Sequence, residues 1–164
     1  MQRCVQINAY KLQGVVLTGV AIGSDHAGYS LKCLILAHLQ QAGNKVKDLG
    51  TFSDDRVDYP DYGALVGRAV ADGEFSSGIV VCGSGIGIVM AAGKIPGIRA
   101  ATVHDSTSAR LAREHNDANV IGLGARLVGE QTALDAVDAY LSAVFLGGRH
   151  GDRVKKLNLL DYEH

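Results

Sequence analysis

The 164-residue chain has the length of one ordinary domain, and with 47% apolar and 20% charged residues it is no disordered segment. Sixteen basic against seventeen acidic residues leave a net charge of −1, aromatic residues make up only 5% and Trp is absent. No basic run suits nucleic acid or a polybasic membrane footprint, a base-stacking platform lacks its rings, and no apolar stretch reaches bilayer length.

Met1 to Gly14 reads as an N-terminal extension, alternating polar and apolar residues over Met1 to Leu12 without the apolar core of a secretory signal. Residues 15–164 read as a single domain. Its first strand is the apolar, β-rich run Val15 to Ile22, which ends in Gly23-Ser24-Asp25-His26-Ala27-Gly28. A helix from Tyr29 to Ala42 follows, with Leu31, Leu34, Ile35 and Leu39 on one face, Cys33 as core filler and Gly43 as the stop. Lys45 to Leu49 predicts a short strand and Gly50 to Tyr59 a loop. Pro60 suits a first helical position, and that helix runs to Asp72.

Gly78 to Val81 predicts a buried strand, followed by the loop Cys82-Gly83-Ser84-Gly85-Ile86-Gly87 and a small helix to Gly93. Ile98 to Val103 is another strand, Thr107 to His115 a helix and Val120 to Leu123 a strand. A long amphipathic helix is then expected, with Leu134, Val137, Leu141 and Val144 in register. Gly147-Gly148 breaks it, and a helical basic tail from Arg149 to Lys156 closes the domain. Parallel strands need crossovers, and here the crossovers are helices. The alternation therefore predicts an α/β domain, a parallel sheet with helices on both faces. Three widely spaced cysteines, Cys4, Cys33 and Cys82, form neither a disulfide framework nor a C-x-x-C pair, so a cytoplasmic setting is expected.

Ligands of an open α/β sheet bind beyond the carboxyl ends of its strands. The residues that follow strands here are polar: Asp25 and His26, Cys82 with its glycine loop, His104 and Asp105. Glycines at 83, 85 and 87 allow a sharp turn with inward N–H groups and a helix N-terminus behind, a nest that favours negative charge. A plain tight turn packed on a neighbouring strand remains the alternative. A dinucleotide fingerprint requires Gly at Ile88, and a Walker loop fails because five residues separate Gly87 from Gly93-Lys94 and Ile95 replaces the hydroxyl. A Cys-x5-Arg phosphatase loop requires Arg at Ile88. All three are excluded. Cys82 is then either an inert buried thiol or a proton acceptor whose thiolate the helix end favours.

Two further clusters carry potential chemistry. His115 ends a helix and leads into Asn116-Asp117-Ala118-Asn119; it is either a partner of the helix dipole or an acid–base group. Arg126 follows Gly124-Ala125, and Arg149 and Arg153 lie one helical turn apart, so a solvated basic tail competes with a phosphate grip. No group of His and carboxylates is spaced as metal ligands, so no metal and no cofactor is expected.

Together these segments resemble the type B ribose-5-phosphate isomerases and the related galactose-6-phosphate isomerase subunits, from about Val15 to Leu157. The resemblance is carried by 23–28, by Asp58-Tyr59-Pro60-Asp61-Tyr62, by 82–87, by Pro96-Gly97-Ile98-Arg99-Ala100, by 109–119 and by Gly147-Gly148-Arg149-His150. It implies a Rossmann-like three-layer αβα sandwich with a five-stranded parallel sheet. It also implies a homodimer, or a dimer of dimers, whose active sites draw on both subunits, with no nucleic-acid or membrane partner. The implied reaction is metal-independent aldose–ketose interconversion of a sugar phosphate through an enediol.

By position in that family, Cys82 is the implied base and His115 the ring-opening acid. Ser84 stands where Thr is common and keeps the hydroxyl, within the same catalytic set. Asp25 and His26 contact substrate, residues Gly83, Ser84, Gly85, Ile86 and Gly87 form the anion hole, and Asn116, Arg126, Arg149 and Arg153 complete the substrate and phosphate ligands. Some members carry a Glu base where this chain has Ile88, which places it with the cysteine type. The extension 1–14 and Gly93, in place of a frequent Asn, also depart from the family pattern. Two alternatives stay open: a six-carbon substrate such as allose or galactose 6-phosphate, and a non-catalytic sugar-phosphate-binding regulator on the same fold.

Overall fold

The computed structural model describes residues 19–162. The expected extension over residues 1–14 and the start of the expected first strand, residues 15–18, lie outside the described residues. In chain order the elements are β1 (Val20–Ser24), α1 (Tyr29–Gln41), β2 (Val46–Asp48), α2 (Tyr59–Ala71), β3 (Ser77–Cys82), α3 (Ile86–Gly93), β4 (Ala100–Thr102), α4 (Ser106–Asn116), β5 (Val120–Gly124), α5 (Glu130–Ser142) and α6 (Arg149–Leu159). Short 3-10 turns occupy His26–Gly28 and Leu160–Tyr162.

The five strands form one sheet in the order β2-β1-β3-β5-β4, and every pairing is parallel. Strand alternation divides the core in two. Val20, Ile22, Ile79, Val81, Ile121 and Leu123 point to the face covered by α1, α4 and α5. Ala21, Val80, Cys82 and Val120 point to the face covered by α2 and α3. Each fully buried Ile, Leu or Val in these layers contributes about 1.5–3 kcal/mol relative to leaving it in water. The layered α/β architecture expected from the sequence is the one observed, and no helix of the described residues is long and apolar enough to cross a membrane.

Three expectations need correction. The buried stripe of α5 is Ala133, Ala136, Val137 and Tyr140; of the four expected residues only Val137 is fully buried, while Leu134 and Leu141 are half-buried against the same core. Small residues let the helix lie close to the sheet and leave room for Tyr140, whose hydroxyl donates to the Ala118 carbonyl at 3.1 Å and is pushed by burial to about 12. The helix ends at Ser142 because Ala143 turns extended, so Val144 lies beyond it at 73% exposure. Cys33 is only half-buried, because the inward stripe of α1 runs through Leu31, Lys32, Ile35 and Leu39. Lys32 is an unexpected member of that stripe.

Moving out from β1, the chain goes to β2 on one side and to β3 on the other. That reversal opens a crevice beyond the carboxyl ends of β1 and β3, the place where open α/β sheets hold ligands.

Candidate active site

A crevice of about 350 Å³ lies at that reversal, lined by Asp25, His26 and Ala27 after β1, Tyr59 at the start of α2, Cys82, Gly83, Ser84 and Gly87 around the end of β3, and Arg126 and Leu127 after β5. Its floor is backbone packed on backbone. Gly28 approaches β3 so closely that a Cβ there would lie 2.4 Å from the Val81 carbonyl oxygen. The Asp25 N–H bonds that same carbonyl at 3.2 Å, and the Asp25 carboxylate caps the turn by accepting the Gly28 N–H at 2.9 Å. The turn carrying Asp25 and His26 is thereby fixed one residue from Cys82.

Cys82 is the last residue of β3 and is 4% exposed. The Gly85 N–H points to the Cys82 Sγ at 3.1 Å. Gly85 holds φ at +75°, in the left-handed region, as the residue that caps the start of α3. This conformation swings the loop back over Cys82, and glycine adopts it without strain. The Ile86 N–H bonds Ser84 Oγ at 3.3 Å, whereas the N–H groups of Gly83 and Ser84 have no partner among the described residues. Two N–H donors of the loop are therefore open at the start of α3 among the described residues. The Arg126 guanidinium lies against Gly83, with atoms 3.3–3.5 Å from the position a Cβ would take, and makes no ion pair among the described residues. The Tyr59 ring covers Gly87 in the same way, at 2.7 Å.

The remaining expected residues are elsewhere. β4 leads out of the crevice edge, α4 runs back, and β5 starts again from the far edge, so His115 and Asn116 at the end of α4 lie at the amino end of the sheet. β5 from Val120 to Gly124 spans about 13 Å at ~3.3 Å per residue, and Cys82 pairs with Gly124 at its other end. At the far edge His115 stacks on His150, with ring centroids 4.3 Å apart and planes within 7°. Burial, then the neighbouring His115, Arg149 and Arg153, hold the His150 ring below its usual basicity. Arg149 and Arg153 are exposed on α6 and form no ion pair among the described residues. Asp117, in the left-handed region at φ 49°, is clamped between Arg99 at 2.8 Å and Arg113 at 2.7 Å and fixes the end of α4.

One chain thus brings together Asp25, His26, Cys82, Gly83, Ser84, Gly87 and Arg126, with Gly85 and Ile86 completing the loop. It gathers His115, Asn116, Arg149 and Arg153 into a second cluster at the opposite edge. Sequence reasoning assigned no role to Tyr59, Leu127 or His150. Tyr59 and His150 lie inside segments that carried the family resemblance; Leu127 has no sequence signal. Among the described residues, no three His, Cys, Asp or Glu side chains come together as a metal-binding group.

Comparison with known proteins places the chain in a family. Residues 20–157 match the family described as Ribose/Galactose Isomerase. Ribose-5-phosphate isomerase B of Escherichia coli (strain K12) is 47% identical over 142 residues, which cover 87% of this chain and 95% of the relative. The solved structure of Clostridium thermocellum ribose-5-phosphate isomerase B is 52% identical, with a TM-score of 0.86 over 87% of this chain and 97% of the other. The Mycoplasma genitalium ribose-5-phosphate isomerase B, solved with ribulose-5-phosphate bound, is 40% identical, with a TM-score of 0.84 over 89% and 97%.

Proposed function

The chain belongs to the ribose/galactose isomerase family, and on that premise we propose that it interconverts ribose 5-phosphate and ribulose 5-phosphate, with Cys82 as the base and an enediolate intermediate. The observation that carries the reading is the thiol buried under a glycine loop, with one loop N–H on Sγ and two others without a partner among the described residues. In the open-chain aldose the Cys82 thiolate takes the proton from C2. The C2 electron pair forms the C1–C2 double bond, and the carbonyl oxygen on C1 becomes an oxyanion. The Gly83 and Ser84 N–H groups meet that charge in preset positions, where a donor is worth most. The Cys82 thiol then returns the proton to C1, the O2 hydroxyl proton passes to O1, and the ketose results. Asp25 and His26 border the same crevice and orient the sugar; Arg126 supplies positive charge at its rim.

The site is completed by a second copy of this chain, which brings its His115 to open the sugar ring and its Arg149 and Arg153 to the phosphate. Two observations support that arrangement. The two clusters lie on opposite sheet edges, out of reach of one substrate. Each also has exposed apolar residues on its side: Ile86, Met90 and Leu127 near the crevice, and Leu146 beside His115, with Leu157, Leu159 and Leu160 further along α6. A two-fold axis that joins unlike patches does so twice, creating two equal sites.

The test is a panel of four-, five- and six-carbon aldose and ketose phosphates, followed by the reaction in deuterated water. The five-carbon pair turns over fastest, and product carries solvent deuterium on the carbon that received the proton. Turnover without any incorporation counts against a solvent-exchanging thiol base, and absence of turnover across the panel favours a binding role.

A further inference from the structure

Lys32 has surroundings that the proposed chemistry does not use. Its side chain is fully buried on α1, although lysine is a surface residue by type. The ammonium lies 2.7 and 2.6 Å from the two carboxylate oxygens of Asp48 and 2.6 Å from the Thr51 carbonyl, which uses all three of its N–H bonds. The rings of Tyr29 and Phe52 flank it, each with its centroid at 5.3 Å. Such a pair adds little net stability, since desolvation offsets the attraction; its best-attested use is to fix one arrangement among several.

What the pair holds here is the strap of residues 49–58 between β2 and α2. The strap begins stitched to the end of β1: the Ser24 N–H bonds the Gly50 carbonyl at 2.6 Å, and the Thr51 N–H bonds the Ser24 carbonyl at 2.8 Å. Asp48 also accepts the Gly50 N–H at 2.9 Å. Its middle, at residues 52 and 54–56, is exposed. Its far end returns to the crevice, where His26 Nδ1 lies 3.1 Å from the Val57 carbonyl and 3.3 Å from the Val57 nitrogen. Engagement of Nδ1 by the strap leaves Nε2 as the nitrogen free for a ligand.

We propose that Lys32 is a positioning residue for the substrate site: its buried ammonium fixes the start of the strap, and the strap sets the ring of His26. The proposal rests on the reading of His26 as a substrate contact. It predicts a remote residue that alters substrate affinity through a segment it touches only at one end.

The test uses the full-length protein and the double variant Lys32→Met/Asp48→Asn, which removes both charges at nearly constant volume. Trypsin cleavage after Arg56, in the exposed middle of the strap, should become about tenfold faster, because the anchored loop now opens locally. KM for ribose 5-phosphate should rise about tenfold with a smaller change in kcat, as expected when a binding contact is misplaced. His26→Ala should raise KM to a similar degree. Combining it with the double variant should add little, since residues acting through one contact are not additive.

An unchanged cleavage rate, or full additivity with His26→Ala, overturns the route through the strap. An unchanged KM in the double variant beside a raised KM in His26→Ala overturns the positioning role alone. An unchanged KM in His26→Ala instead removes the reading of His26 beneath it. If the double variant does not fold, wild-type protein nicked after Arg56 separates the His26 end of the strap from its Lys32 anchor without touching the pair. Its KM should rise about tenfold, and an unchanged KM overturns the proposal.

Discussion

A mixture of two inactive variants should regain activity. Cys82→Ser leaves a hydroxyl too weakly acidic to act as the proposed base, and His115→Asn removes the proposed ring-opening acid; each should lose about 10²–10⁴-fold in turnover. Within one chain the two positions are separated by the length of β5, about 13 Å at ~3.3 Å per residue, yet each group must approach within about 3 Å of the atom it serves. The proposed shared site therefore requires Cys82 of one copy to work with His115 of another. When equal amounts of the variants exchange subunits at random, half the dimers are mixed. In each mixed dimer one site lacks both groups and the other has both. The mixture should reach about a quarter of the wild-type kcat per site, against about a hundredth or less for either parent. The assay is the rate of ribulose 5-phosphate formation before and after exchange, with differently tagged subunits to measure the mixed fraction. A mixture no more active than its parents, with exchange verified, refutes the shared site.

Three other outcomes follow from the geometry. Arg149→Ala should reduce kcat/KM for sugar phosphates about ten- to hundredfold, the scale of one charge-assisted hydrogen bond, and leave the unphosphorylated sugar nearly unaffected; equal proportional losses on both would falsify a phosphate contact. His150 has a basicity held below its usual 6.5, so the folded state disfavours its charged form: its contribution to stability is complete above that value and is lost as pH falls below it. Thermal unfolding from pH 8 to 5 should therefore show a steeper loss for the wild type than for His150→Gln, and parallel curves would remove the stack from the account. Gly28→Ala places a methyl 2.4 Å from the Val81 carbonyl oxygen and should destabilise by about 1–3 kcal/mol, read from the denaturant midpoint; an unshifted midpoint contradicts the close packing of that turn.

Much of the fold was legible because the apolar runs are short, rich in β-branched residues and punctuated by glycine. The strand through Val80 and the helix after Pro60 lie close to where their patterns put them. The crevice was legible for the same reason, since polar residues directly follow β1 and β3. The stripe of α5 was not, because alanine carries little hydrophobic signal while the neighbouring leucines carry much; close packing against the sheet selected the small residues. Lys32 was hidden by its residue type, and only Asp48 and the Thr51 carbonyl, sixteen and nineteen positions away, make its burial tolerable. The separation of His115 from Cys82 was within reach of the sequence, since a helix between parallel strands must end at the opposite edge from where it began. Tyr59 reads as an ordinary aromatic until Gly87 is seen beneath its ring.

The strand order has a consequence for how the molecule comes into being. β5, the last strand in the chain, lies in the interior between β3 and β4, and β4 pairs with β5. A nascent chain that has emerged through Asn119 offers at most a three-stranded sheet, with the edge of β3 open and β4 without a neighbour. Such an edge, lined here by Val80 and Val81, invites pairing with other chains. Arrival of residues 120–124 closes it in one step, joining β4 to the rest. A product ended by premature termination before that point is thus a sticky fragment rather than a smaller working domain.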